Sequence, residues 1–173
     1  MGLAENSTAA AIVNTNHVRE ELNLHKTRAN ARLHGADLII CSARDINRDD
    51  NKLVSSNHRT DLLKMNTSSL TNSGGLPGVL PLYIGMPVIL RMRNLSTELG
   101  VTNGSQGFLM KVVTEELEDH TLVPKVAIVH FPGSKVKLHG LPDGFFPIEP
   151  VSWSFTVQTP SAPHRTGKNT ENL

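Results

Sequence analysis

Apolar and polar positions change their rhythm midway along this chain. Near the amino terminus, Ala9-Ala10-Ala11-Ile12-Val13 is a short apolar run closed by Asn14-Thr15-Asn16, and Val18, Leu22 and Leu24 then follow at near-helical spacing. The pattern predicts strand, turn, helix, with Asn16 as the helix cap and Glu20 and Glu21 near the positive end of the helix dipole. Asp37-Leu-Ile-Ile-Cys41 is a second strand, whose nearly continuous apolar character suits a parallel sheet buried on both faces. Residues 42–59 are charged and aperiodic, and Leu62, Leu63 and Met65 predict a short helix. Residues 67–78, rich in Ser, Asn, Gly and Pro, read as a linker.

Beyond that linker the period becomes that of strands. Residues 87–92, 108–113, 123–131 and 146–155 are β-rich segments separated by Gly, Asn and Pro turns. Residues 1–8 and 158–173 are polar enough to be expected disordered. The fold class is therefore α+β. A β-α-β portion spans 9–66, a linker 67–78 and a compact antiparallel β domain 79–157.

Composition adds bounds rather than direction. The chain has 173 residues, 38 % hydrophobic and 19 % charged, which supports a modest core. A formal net charge of +1 gives no field that would by itself argue for nucleic acid. Cys41 is the only cysteine, so neither an internal disulfide nor a multi-cysteine zinc site can form. No secretory leader or membrane-spanning run is read, and an intracellular protein without a membrane partner is expected. The Asn-x-Ser/Thr triplets at Asn6, Asn66, Asn94 and Asn103 accordingly carry no glycan meaning.

Within the β half, Leu82-Tyr-Ile-Gly-Met-Pro-Val-Ile-Leu-Arg-Met-Arg-Asn94 is followed by Asn103-Gly-Ser-Gln-Gly-Phe-Leu109. A strand ends near Asn94, a solvent excursion runs from Ser96 to Thr102, and Asn103-Gly104 supplies a tight turn before the next strand. Gly107 permits a bulge or a close backbone approach.

Taken together, Gly85-Met-Pro-Val-Ile-Leu90, Asn94 and Asn103-Gly-Ser-x-Gly107 resemble a block of the PIF-family and Helitron DNA helicases. In that family the block forms a Src-homology-type barrel inserted in the second RecA-like motor domain. Ala11-Ile-Val-Asn-Thr-Asn16, with Asn23 seven residues on, is similar to the start of that motor domain. Phe145-Phe-Pro-Ile-Glu-Pro150 and Trp153-Ser-Phe155 resemble the return strand, so the likeness covers roughly residues 9–157. It implies a fragment of an ATP-dependent 5′-to-3′ helicase, nuclear by family, from a class that serves DNA repair, recombination and telomere maintenance. The implied nucleic-acid contacts are Arg91, Arg93, Asn94, Asn103 and Lys111, with Asn14 and Asn16 as remnants of the nucleotide cleft and Gly85, Gly104 and Gly107 as structural turns.

The motor chemistry itself is missing from the sequence. A phosphate loop needs a Gly-rich turn ending in Lys and Ser/Thr, so that amides cradle phosphates and the hydroxyl holds magnesium. Gly167-Lys168-Asn169-Thr170 has Ala162 where the first Gly belongs and Asn in the hydroxyl position. No Walker B box follows an apolar strand, and the family's Thr-x-x-Lys-x-Gln-Gly segment is replaced by Thr156-Val-Gln-Thr-Pro160. ATP and magnesium belong to intact family members, not to this chain. A missing motor domain from another chain and single-stranded DNA are the implied partners. A free-standing β-barrel module for DNA or protein, and an inactive transposon-derived remnant, are the competing readings.

Several features have a plain structural reading beside the functional one. Asn103-Gly104 is first a turn, Arg91, Arg93 and Lys111 also suit a solvated strand face, and Asn14 and Asn16 also suit helix capping. Tyr83 and Trp153 are candidate base-stacking aromatics, though core packing suits them better. The eight histidines include no pair three to five residues apart, which leaves His130 and His139, expected on neighbouring strands, as the sole metal-site candidate. No nucleophile elbow is present, and Cys41 in an apolar strand reads as inert packing.

Overall fold

In a computed structural model of the chain, the residues described are 12–64, 77–91 and 94–156. Ala9 to Ala11 of the expected first strand, Met65, nearly all of the expected linker, Arg93 and the expected disordered ends lie outside them. The helices are α1 (Asn16–Leu33) and α2 (Ser56–Lys64). The strands are β1 (Ile39–Ser42), β2 (Val79–Leu82), β3 (Pro87–Ile89), β4 (Gln106–Glu116), β5 (Leu122–His130) and β6 (Phe145–Ile148). The fold is mixed α+β with two antiparallel sheets, one of order β1-β2 and one of order β3-β4-β5-β6.

The amino-terminal helix starts on a hydroxyl. Thr15 sits in extended backbone and its Oγ1 accepts the Val18 N–H at 3.3 Å, so Thr15 is the cap and the expected cap Asn16 is the first helical residue. The helix has almost no apolar stripe. Its buried residues are Thr27 and Ala31, one turn apart, while Val18 and Leu33 are exposed. Small side chains of this kind let a helix backbone lie close to its neighbour, and α1 packs against β2. It ends at Gly35, whose φ of +62° allows the Ala36 N–H to reach back to the Ala31 carbonyl at 2.9 Å.

The second strand departs from expectation. Instead of a parallel strand covered on both faces, β1 pairs antiparallel with β2, in the register Ile39↔Leu82 through Ser42↔Val79. One face is buried through Cys41 and the other leaves Ile40 exposed. A run of four apolar residues cannot by itself distinguish these two situations. The consequence is that chain on both sides of the expected linker is joined in one sheet.

The larger sheet supplies the core. Its inner face carries Val88, Leu109, Val112, Ala127, Val129, Phe146 and Ile148. Leu90, Val101, Phe131 and Val136 join them from loops, and Cys41 and Leu82 cover them from the small sheet. Each fully buried side chain of this size contributes about 1.5–3 kcal/mol by leaving water. Among the described residues β3 and β6 each pair on one side only, so this sheet does not close into the barrel expected from the sequence. The Ser96–Thr102 excursion is also more than a solvent loop. It bridges Ser96 to Val101, plants Val101 at 0 % exposure in the core, and ties its Leu99 carbonyl to the Lys135 N–H at 2.8 Å.

Backbone proximity in β4 depends on Gly107. A Cβ there would meet the His130 carbonyl oxygen at 2.5 Å, with Val129 and Phe131 side-chain atoms inside 3 Å. Gly85 is constrained differently, by a φ of +89° with open space around it. Gly107→Ala is therefore expected to destabilise by about 1–3 kcal/mol through overpacking and Gly85→Ala by about 1–2 kcal/mol through strain alone, both read from urea denaturation midpoints.

A polar latch fixes α2 to the β4–β5 hairpin. Arg59, 4 % exposed, donates through Nη2 to the Ala43 carbonyl at 2.8 Å and through Nη1 to Asp119 Oδ2 at 3.4 Å. Glu115 meanwhile lies 3.7 Å from Arg44 and 3.3 Å from Lys125. Beside the latch, burial pushes the Asp45 carboxyl above its ordinary range, with Arg59 pulling the other way, and its Oδ2 is buried with no hydrogen-bond partner. An acid whose folded pKa is raised burdens the fold when ionised, and the burden vanishes as pH falls through that value toward the unfolded one. Asp45→Asn should therefore raise the urea midpoint at pH 7, with the gain over wild type shrinking toward pH 4.

Candidate nucleic-acid interface

The block that carries the family resemblance folds as one bonded unit around the β3–β4 hairpin. Leu90 and Ser105 close its base, with the Leu90 N–H donating to the Ser105 carbonyl at 2.9 Å and the Gly104 N–H to the Leu90 carbonyl at 2.9 Å. Across the loop mouth the Asn94 side-chain Oδ1 accepts the Asn103 N–H at 2.9 Å. Gly104 takes φ +91° in a Thr102–Ser105 turn closed by a 2.9 Å bond from the Ser105 N–H to the Thr102 carbonyl. Asn94 thus holds the turn shut, and the exposed Asn103 and Gly104 form its tip.

One expected residue from each group, Asn16 and Arg91, lies near Arg19. Asn16 Oδ1 accepts from Arg19 Nη1 at 2.6 Å, and Arg19 Nη2 lies 3.5 Å from Glu20. The Arg19 guanidinium is held below its usual pKa, first by burial and then by the positive charge of Arg91. Asn16 at the start of α1 and Arg91 after β3 are therefore neighbours through Arg19. Asn14 is exposed one residue before the cap, and Arg93 lies outside the described residues. Lys111 stands apart from this cluster, exposed on β4 opposite Ile128.

The candidate aromatics take other places. Tyr83 is 5 % exposed, with its ring stacked near His34 at a 6.3 Å centroid distance, and Trp153 is only partly exposed. His130 lies on β5 but His139 is in a turn, so the two are not on neighbouring strands. Among the described residues no group of three or more His, Cys, Asp or Glu converges as a metal site. Cys41 is 1 % exposed and burial pushes its thiol pKa up, which suits packing rather than nucleophilic chemistry.

What sequence reading missed is the outer face of the larger sheet. Strand register sets Pro87, Phe108, His130 and Phe145 side by side in one row across β3, β4, β5 and β6. Ile89 flanks that row on one side, and Lys111 opposite Ile128 on the other. Ile89 is 61 % exposed and Phe108 45 %, so these apolar groups face water. The available signal was the alternation Gly107-Phe-Leu109, which places Phe108 opposite the buried Leu109, but only the register shows that His130 and Phe145 join it.

A shallow cavity of about 160 Å³ opens nearby between Gly100, Ser105, Phe131 and Ser134. Its hydroxyls are engaged internally, with Ser134 Oγ donating to the Phe131 carbonyl at 2.8 Å and Ser105 Oγ to the Gly100 carbonyl at 3.3 Å. Among the described residues no helix is long and apolar enough to cross a membrane. Compared with protein-family models, curated proteins and solved structures, the chain matches none of them.

Because Asn94 supplies the acceptor that closes the turn, Asn94→Ala should cost about 1 kcal/mol and release the Asn103 amide. The expected readout is a lower melting temperature together with faster hydrogen exchange at Asn103.

Proposed function

We propose that the chain is a helicase fragment of the PIF or Helitron kind that contacts single-stranded DNA and relies on another chain for ATP-driven movement. On this reading residues 9–66 correspond to part of a second RecA-like motor domain and residues 79–157 to its Src-homology-like insert, in an open rather than closed form. The observation that carries the proposal is the bonded unit of Asn94, Asn103 and Gly104, which are the residues the resemblance rests on. The proximity of Arg91 to Arg19 and Asn16 supports it, because it brings two of the residues named by the resemblance, Asn16 and Arg91, beside one guanidinium, which Glu20 partly neutralises.

The competing picture of residues 78–157 as a free-standing module is disfavoured by packing. Removing the amino-terminal half would strip β1 from β2 and take Cys41 out of the shared core. An orphaned β2 and an uncovered core invite aggregation.

The test is binding of the intact chain to a fluorescent single-stranded oligonucleotide over a range of salt. Affinity should fall as salt rises, and Lys111→Ala should reduce the slope of log affinity against log salt by about 0.7, the loss of one phosphate contact. Wild-type protein that fails to bind at low salt contradicts the proposal. ATP turnover by the purified chain, stimulated by single-stranded DNA, would also contradict it by revealing a nucleotide site.

A further inference from the structure

The outer face of the larger sheet carries chemistry that the turn and the arginines do not explain. Phe108, His130 and Phe145 occupy directly opposed positions on three consecutive strands. Adjacent strands lie about 4.8 Å apart, so the three residues occupy one row across the sheet. Two are fixed in place. The rings of His130 and Phe145 stack with centroids 5.0 Å apart and planes inclined by 29°. The His130 ring also lies so close to Gly144 that a Cβ there would meet Cδ2 at 2.9 Å and Nε2 at 3.0 Å. Phe108 remains 45 % exposed beside them.

Building on the single-strand reading above, we infer that this strip is a base-stacking platform: Phe108 and the His130–Phe145 pair receive unpaired bases while Lys111 meets the backbone phosphate. Three observations select this occupant. Phe108 offers an exposed ring beside the half-buried His130–Phe145 stack, and a ring on a rigid support is what a base without a pairing partner stacks on, whatever its sequence. Lys111 is the charged residue in the adjoining row, and the paired outer-face positions from the Ile89 row to the Lys111 row carry no Asp or Glu, Glu149 following only beyond them, so an anion seated on the strip meets Lys111 first. Duplex DNA presents bases already stacked on one another and has none to offer the rings.

The deciding experiment uses the intact chain and a short thymidine oligonucleotide, alone and as a duplex, with Phe108→Leu and Phe145→Leu as variants that preserve apolar bulk. Each variant should weaken single-strand affinity by about 5- to 100-fold while leaving the salt slope unchanged, because a stacking contact rather than a phosphate contact is lost. Ultraviolet cross-linking of an iodouracil-substituted oligonucleotide should label peptides containing Phe108 or Phe145. If wild type binds with normal salt dependence and both variants bind equally well, the platform is overturned while the single-strand reading stands. Equal affinity for duplex has the same meaning. If wild type fails to bind at all, both readings fall. A dimer in sedimentation that Phe108→Leu dissociates would assign the face to a second copy and overturn the platform as well.

Discussion

The fold depends on one seam, where Leu109, Val129 and Phe131 at the inner side of the larger sheet are covered by Cys41 and Leu82 from the smaller one. Neither sheet is self-sufficient. Two short antiparallel strands are marginal in water without an apolar face to lean on, and an open four-stranded sheet leaves its inner face wet unless something covers it. Gly107 makes the seam tight by letting β4 lie against the His130 carbonyl, and Val101 and Val136 enter it from two loops. The Arg59 latch reinforces the arrangement at its edge, holding α2 and the Ala43 carbonyl against the tip of the β4–β5 hairpin.

This seam also explains which parts of the fold were legible in the sequence. The strands around residues 87–92, 108–113 and 123–131 could be read because each alternates or is bounded by Gly, Asn and Pro, so local chemistry alone dictates strand and turn. Gly107 could be read as a place of close approach for the same reason. The partner of Ile39–Ser42 could not, because four apolar residues state burial and not direction, and the pairing with Val79–Leu82 crosses a long polar interval. The openness of the larger sheet was hidden likewise, since closure depends on whether two edge strands meet and neither edge records the other. Thr15 displaced Asn16 as the helix cap by a single residue, a margin that propensity does not resolve.

For the candidate site, the residues of the Asn94 to Gly107 block were visible as a motif, and the structure accounts for their spacing. Asn94 and Asn103 are nine residues apart because a side-chain amide closes the mouth of a loop that first descends into the core at Val101. The aromatic strip was not visible. Phe108, His130 and Phe145 are scattered over 38 positions of the chain and become neighbours only through the strand register. Of the aromatics visible one at a time, Tyr83 is buried while Phe108 faces water, a difference that residue identity does not record. The two faces of the sheet thus divide the work: the inner face unites the chain, and the outer face presents planar groups on a support that the inner face makes rigid.

The claim that one seam unites the chain is tested most directly by native-state hydrogen exchange resolved by peptide mass spectrometry. If it is correct, amides of Ile39–Ser42 and of Leu109–Val113 exchange together, with the same free energy of opening and the same dependence on denaturant, because β1 cannot leave without exposing the core. Exchange of Ile39–Ser42 on the timescale of exposed loops, while Leu109–Val113 stays protected, would mean that the small sheet merely rests on an independently stable β domain and would contradict the account.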